Sequence, residues 1–269
     1  MDVASILARI ADPARPRIGG RTVLVFAHPD DETLACGALL PRLEDVRVIH
    51  VTDGAPRNGE DARRHGFDTP SAYAAARQAE VRAAVSLAGI GAERLTCMGV
   101  PDQGAAHALA DIARRLVPLL AAADLVITHS YEGGHPDHDA VCWAVHAAAG
   151  LSAGRGPDLV EVPLYRLAPD GDWLRQDFAE SDGAVFLRLT PVERELKSRM
   201  VAAHASQADT LAGFGAADEA YRAATASDLA RLPNGGALLY ERHGWSLTGA
   251  RWLELISKAV RDLALERAA

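Results

Sequence analysis

The chain has 269 residues, 49% of them apolar and 24% charged, with a formal net charge of −8. That length suffices for one large α/β domain with a substantial core, and an acidic balance without a basic stripe argues against nucleic acid as a partner. Three widely spaced cysteines, Cys36, Cys97 and Cys142, sit in apolar surroundings with no C-x-x-C pair, which predicts buried free thiols in a reducing, cytoplasmic compartment.

Residues 1–10 lack a basic start followed by a long apolar run, so they read as a short amphipathic helix rather than a signal peptide. No run of 18 apolar residues exists, and no transmembrane span is expected. After the breakers Pro13, Pro16 and Gly19-Gly20, residues 21–27 (R-T-V-L-V-F-A) read as a buried strand. A helix follows over 32–41, a second strand over 46–52, and a long polar loop over 54–70. Residues 71–88 read as an Ala-rich helix with Ser71 as N-cap and Gly89 as the stop. A third strand is predicted over 94–99, a helix over 106–123 despite Pro118, and a fourth strand over 124–129. Residues 138–149 read as a helix stopped by Gly150, and 158–167 as a fifth strand kinked by Pro163. Beyond about residue 168 the pattern is less regular: a strand over 184–189, a helix from Thr190-Pro191-Val192-Glu193 to about residue 204, a strand over 237–242 and a terminal helix over 249–266.

Strand followed by helix, repeated, predicts a single α/β domain over residues 1–269, with a Rossmann-like, mostly parallel sheet and helices on both faces. With strand order 3-2-1-4-5, strands one and four are neighbours at the topological switch point, where such sheets bind ligands. Both strands end in chemistry. The first runs into A-H-P-D-D-E (residues 27–32), and the fourth is followed by H-P-D-H (residues 135–138). Crowded carboxylates are costly unless a cation or a proton compensates, and a divalent metal is the cheapest compensation. Two histidines and one aspartate from these junctions provide three protein ligands and leave a position for water, the pattern of a catalytic zinc site.

These two motifs, with V-T-D-G at 51–54, R-x-x-E at Arg77 and Glu80, and H-A-S-Q at 204–207, resemble the LmbE/PIG-L family of zinc-dependent N-acetylglucosamine deacetylases over about residues 20 to 245. The resemblance implies one Zn2+ per chain, held by His28, Asp31 and His138. It also implies a small-molecule N-acyl amino sugar or glycoconjugate as substrate. Asp30 is then the general base, poised beside a ligand. His135 stabilises the oxyanion or protonates the leaving amine, kept charged by a neighbouring carboxylate such as Asp137. Glu32 starts the helix and orients a ligand. Candidate substrate contacts are Arg77, Asp102, Arg57 and Tyr131. Arg77 and Glu80, one helical turn apart, also suit a surface ion pair. His129 is an open candidate, and His65 and His243 read as solvated or core residues. Two other readings stand beside this one: a non-haem Fe(II) oxygenase using the same two histidines and carboxylate, and a non-catalytic, metal-dependent carbohydrate-binding protein. A homo-oligomer is left open.

Overall fold

Successive side chains of a strand point to opposite faces, and the central strands bury both. The computed structural model describes residues 2–152, 156–179, 181–224, 229–245 and 247–267. After an N-terminal helix α1 (Val3–Ala11), strand β1 (Ile18–Phe26) sends Val23 and Val25 into one apolar cluster and Leu24 and Phe26 into another. Each fully buried side chain of this size contributes about 1.5–3 kcal/mol, so a strand apolar on both faces is stable only when covered twice.

The chain continues through α2 (Asp31–Cys36), β2 (Leu43–Pro56), α3 (Glu60–Arg64), α4 (Pro70–Leu87), β3 (Leu95–Asp102), α5 (Leu109–Leu120), β4 (Leu125–His129), α6 (Pro136–Leu151) and β5 (Asp158–Val162). It then adds the short strands β6 (Tyr165–Leu167), β7 (Trp173–Arg175) and β8 (Val185–Arg188). Helices α7 (Pro191–Ala202) and α8 (Ala208–Leu211), strand β9 (Asp218–Ala223), and helices α9 (Leu239–Arg242) and α10 (Gly249–Arg267) complete it. The main sheet has the order β3-β2-β1-β4-β5-β9-β8. Strands β1 to β5 pair in parallel, and β9 and β8 are antiparallel additions at one edge. Residues of α5, α6 and α10 pack in one cluster; residues of α1, α2, α4 and α7 pack in the other. The expected 3-2-1-4-5 core is therefore present, with β1 beside β4.

Several boundaries differ from the sequence expectations, each for a local reason. Thr69, not Ser71, caps α4: its side chain accepts a hydrogen bond from the Ala72 amide, and Pro70 takes the first helical position, where no donor is needed. The polar stretch 54–70 is not one loop, since β2 runs to Pro56 and α3 occupies part of the rest. Helix α6 starts at Pro136, so His138 lies in its first turn. The predicted strand over 158–167 is two strands. Pro163 has no N–H for the ladder, and Tyr165–Leu167 leaves the main sheet to pair with β7. Residues 239–242 are helical rather than extended, because a short apolar run does not distinguish the two states, and β9 (D-E-A-Y-R-A) went unpredicted because it carries no apolar run. Cys97 is exposed, because β3 is an edge strand.

Candidate active site

The neighbouring ends of β1 and β4 bring the two H-P-D motifs together. Val25 pairs with Thr128, so His28, past the end of β1, meets the loop that follows His129. The first turn of α2 carries Asp31 and the first turn of α6 carries His138. Donor atoms of three residues converge there. His28 Nδ1 lies 3.3 Å from Asp31 Oδ2 and 3.2 Å from His138 Nε2, and His138 Nε2 lies 3.5 Å from Asp31 Oδ1. Ligands at zinc bond lengths around a tetrahedron stand about 3.4 Å apart, so this donor set fits a zinc ion.

The surroundings fit as well. His28 Nε2, the other ring nitrogen, lies 3.3 Å from Asp102 Oδ1 and 3.4 Å from Asp137 Oδ2. Carboxylates there favour a proton on Nε2 and leave the Nδ1 lone pair free for a metal, the usual outer arrangement around a metal-binding histidine. Burial opposes charge on His28, but Asp102, Asp31 and Asp137 outweigh it and hold its pKa well above the ordinary value. The site thus demands positive charge. His138 is the reverse case: burial, reinforced by the nearby His129, pushes its pKa down to about 3, so it is a neutral imidazole, the form that binds metal. His129 is also drawn in, but its Nε2 accepts the Ala27 N–H at 2.9 Å, which commits that lone pair.

Asp30 and Arg77 form a buried pair. Arg77 is 4% exposed and donates to Asp30 Oδ2 at 2.7 Å and to the Gly54 carbonyl at 2.5 Å. Gly54 has φ +70°, and a Cβ there would meet Arg77 Nη1 at 2.5 Å, so the V-T-D-G turn needs glycine both for its backbone and for the guanidinium. Burial raises the Asp30 pKa; Arg77 counters it. The expected alternative, an Arg77–Glu80 ion pair, does not form, because Glu80 accepts from the Ser206 amide and hydroxyl instead.

His135 is the N-cap of α6, and its Nδ1 accepts the Asp137 N–H at 3.1 Å. The neutral ring therefore carries its proton on Nε2. Burial, then repulsion from His28, pushes its pKa down to about 3. This corrects the expectation of a charged His135 supported by Asp137. The Asp137 carboxylate instead accepts from the Gln103 and Ala105 amides, at 2.6 and 2.9 Å, and serves His28.

A cavity of about 710 Å³ opens over these groups. Arg77 and Asp102 line it, with Asp30, Asp31, His28, His135 and His138. Asp102 also lies 3.9 Å from His135 Nε2 and from Arg77 Nη1, so it braces the site. Three expected residues stand elsewhere. Arg57 turns back to Asp53 and the Ala55 carbonyl. Tyr131 takes the Trp252 indole N–H and donates to the Arg231 carbonyl. Glu32 faces away from the ligands, toward Thr33 and His50. The cavity is lined instead by Tyr165, Trp173, Phe214 and Trp245, with His65 from the polar stretch before α4. The sequence did not mark the four aromatics as site residues, because they are far apart in the chain and share no motif, and His65, read as a solvated or core residue, lines the cavity instead.

Residues 23–149 match the family described as PIG-L, GlcNAc-PI de-N-acetylase. The chain is 35% identical over 157 residues to the 1D-myo-inositol 2-acetamido-2-deoxy-alpha-D-glucopyranoside deacetylase of Corynebacterium glutamicum (strain R), covering 49% of this chain and 53% of that protein. The like-named deacetylase of Mycobacterium sp. (strain KMS) is 29% identical over 155 residues, 48% of this chain and 50% of the relative. The chain spans about half the length of the curated relatives it matches. Among solved structures it shares its fold with a deacetylase of the teicoplanin biosynthesis pathway (TM-score 0.60, 18% identity, 77% of this chain and 99% of that one). The same holds for the N,N'-diacetylchitobiose deacetylase of Pyrococcus horikoshii (TM-score 0.55, 16% identity, 81% and 90%).

Proposed function

We propose that this chain, whose residues 23–149 match the PIG-L family, is a zinc-dependent hydrolase that removes an N-acetyl or other N-acyl group from an amino sugar or glycoconjugate. The observation that carries this reading is the convergence of His28 Nδ1, Asp31 and His138 Nε2 beside the buried Asp30–Arg77 pair, all lining one cavity. The deacetylase names of its relatives and fold neighbours support it.

His28, Asp31 and His138 would hold the zinc ion. When bound, zinc supplies a Lewis acid that lowers the pKa of water toward about 7 and polarises a carbonyl. Asp30 accepts the proton of the water that attacks the amide carbon. Arg77 holds one Asp30 oxygen and so fixes the carboxylate's direction. The developing oxyanion needs a donor, and neutral His135 offers Nε2–H while Asp137 N–H holds its Nδ1. Breaking the C–N bond requires a proton on nitrogen; Asp30 returns the one it took. The products are a carboxylate and a free amino sugar.

The test is an amine-release screen of the zinc-loaded chain against N-acetylglucosamine, its thiol-precursor conjugates, chitobiose and N-acylated antibiotic sugars. Asp30→Asn should keep its metal and lose about two to four orders of magnitude in turnover. Full activity in chelator-treated protein, or near-normal turnover in Asp30→Asn, refutes the mechanism.

A further inference from the structure

The cavity extends beyond the metal ligands along a wall that the hydrolysis does not use, and the β6–β7 hairpin builds it. In that antiparallel pair Tyr165 stands opposite Arg175, and Leu167 opposite Trp173. Directly opposed residues share a face, as do residues two apart on one strand. Tyr165, Trp173 and Arg175 accordingly all line the cavity. The rings form a path away from the metal site. Tyr165 meets the His138 ring edge-on at 5.1 Å and stacks on Trp173 at 5.2 Å. The Arg175 guanidinium follows, 5.0 Å from the Trp173 ring centre and 5.7 Å from that of Phe214. Trp245, packed against His135 at 4.9 Å, adds another aromatic surface to the lining.

The cavity lining carries both signs of charge, with Glu60 and Asp61 of α3 among its carboxylates. Asp30, Asp31 and Asp102 crowd the metal end. Of the cavity-lining arginines, Arg77 is committed to Asp30 and Arg64 lies 3.5 Å from Asp61. Arg175 is exposed and, among the described residues, pairs with no carboxylate; its guanidinium lies against the two rings. Rings flanking a guanidinium hold it by cation–π attraction and leave its edge N–H groups free. That edge is a planar fork matched to a carboxylate or phosphate.

We propose that this wall is an aglycone subsite for a flat, anionic group. A planar moiety lies along Tyr165, Trp173 and Trp245, and its carboxylate or phosphate pairs with Arg175. The amino sugar it is joined to presents its acyl group at His28, Asp31 and His138. The proposal rests on the deacylase reading above.

The test uses the full zinc-loaded chain and three N-acetylglucosaminides: 4-carboxyphenyl, 4-phosphonooxyphenyl, and the neutral, similarly shaped 4-carbamoylphenyl. Acetate release and calorimetric binding are measured for each. An anionic glycoside should exceed the neutral one by about 10- to 100-fold in kcat/KM, the range for a charge-assisted bidentate contact. Arg175→Gln should erase that ratio, and Arg175→Lys should keep part of it, having the charge without the fork. Which anion is preferred identifies the oxyanion. Equal kcat/KM for all three, or a ratio that survives in Arg175→Gln, overturns the subsite. If no glycoside releases acetate, calorimetry decides. Tighter anion binding that Arg175→Gln abolishes upholds the subsite while the deacylase reading falls, and equal affinities refute the subsite too.

Discussion

Replacing Arg77 with methionine removes the partner of a buried charge while keeping the bulk of the side chain. Asp30 is 5% exposed and Arg77 4%, so little water replaces the 2.7 Å hydrogen bond between them. Deleting one member of such a pair costs about 3–5 kcal/mol, because the other charge stays buried and uncompensated. The Gly54 carbonyl also loses its Arg77 donor. In a chain of this size that cost lowers Tm by about 5–10 °C. Asp30→Asn should cost less, since Arg77 retains Gly54 and has Asp102 at 3.9 Å. The double variant should then lose less than the two single losses together, by about 2 kcal/mol. Urea denaturation of the four proteins, all stripped of metal so that binding adds nothing, measures the cycle. A cost below about 1 kcal/mol for Arg77→Met, or strict additivity, would show that the pair does not hold Asp30.

The two histidines of the second H-P-D motif should separate by role. His138→Ala empties the metal site, whereas His135→Ala keeps the metal and loses hundreds-fold in turnover with little change in KM, the equivalent of about 3 kcal/mol for one oxyanion donor; metal content and kinetics reversed between them would invert the ligand assignment. At the start of α7, burial opposes the Glu193 charge, but Arg15 at 2.8 Å and the Thr190 hydrogen bonds outweigh it and lower its pKa. A depressed folded-state pKa stabilises above the unfolded value, about 4.3 for glutamate, and that contribution is lost as pH falls through the folded value. Glu193→Gln should thus be less stable than the parent at pH 7, and the gap should close on acidification. A gap that stays constant with pH would rule this out.

Much of the site was legible in the chain because it rests on local chemistry. An apolar strand that ends at a histidine, a proline and three acidic residues marks where the candidate metal donors lie, whatever surrounds it. Two such junctions after the first and fourth strands suffice to predict their meeting, because parallel sheets with covered faces obey narrow rules of order and hand. The capping box of α7 was equally visible, with Thr190, Pro191 and Glu193 in helix-start register.

Tertiary structure decided what sequence spacing does not encode. Arg77 and Asp30 are 47 residues apart and meet only because α4 packs against β2, which runs beside β1. Asp137, two residues after His135 in the chain, serves His28 instead, since the first turn of α6 aims its carboxylate at the loop after β3. Tyr131 was a candidate substrate contact, yet Trp252 of α10 donates to its hydroxyl. The aromatic wall came from Tyr165 and Trp173 of the β6–β7 hairpin with Phe214 and Trp245 from two later segments, far apart in the chain. A strand or helix announces itself through repetition; a cavity wall is set by which distant surfaces the core brings face to face.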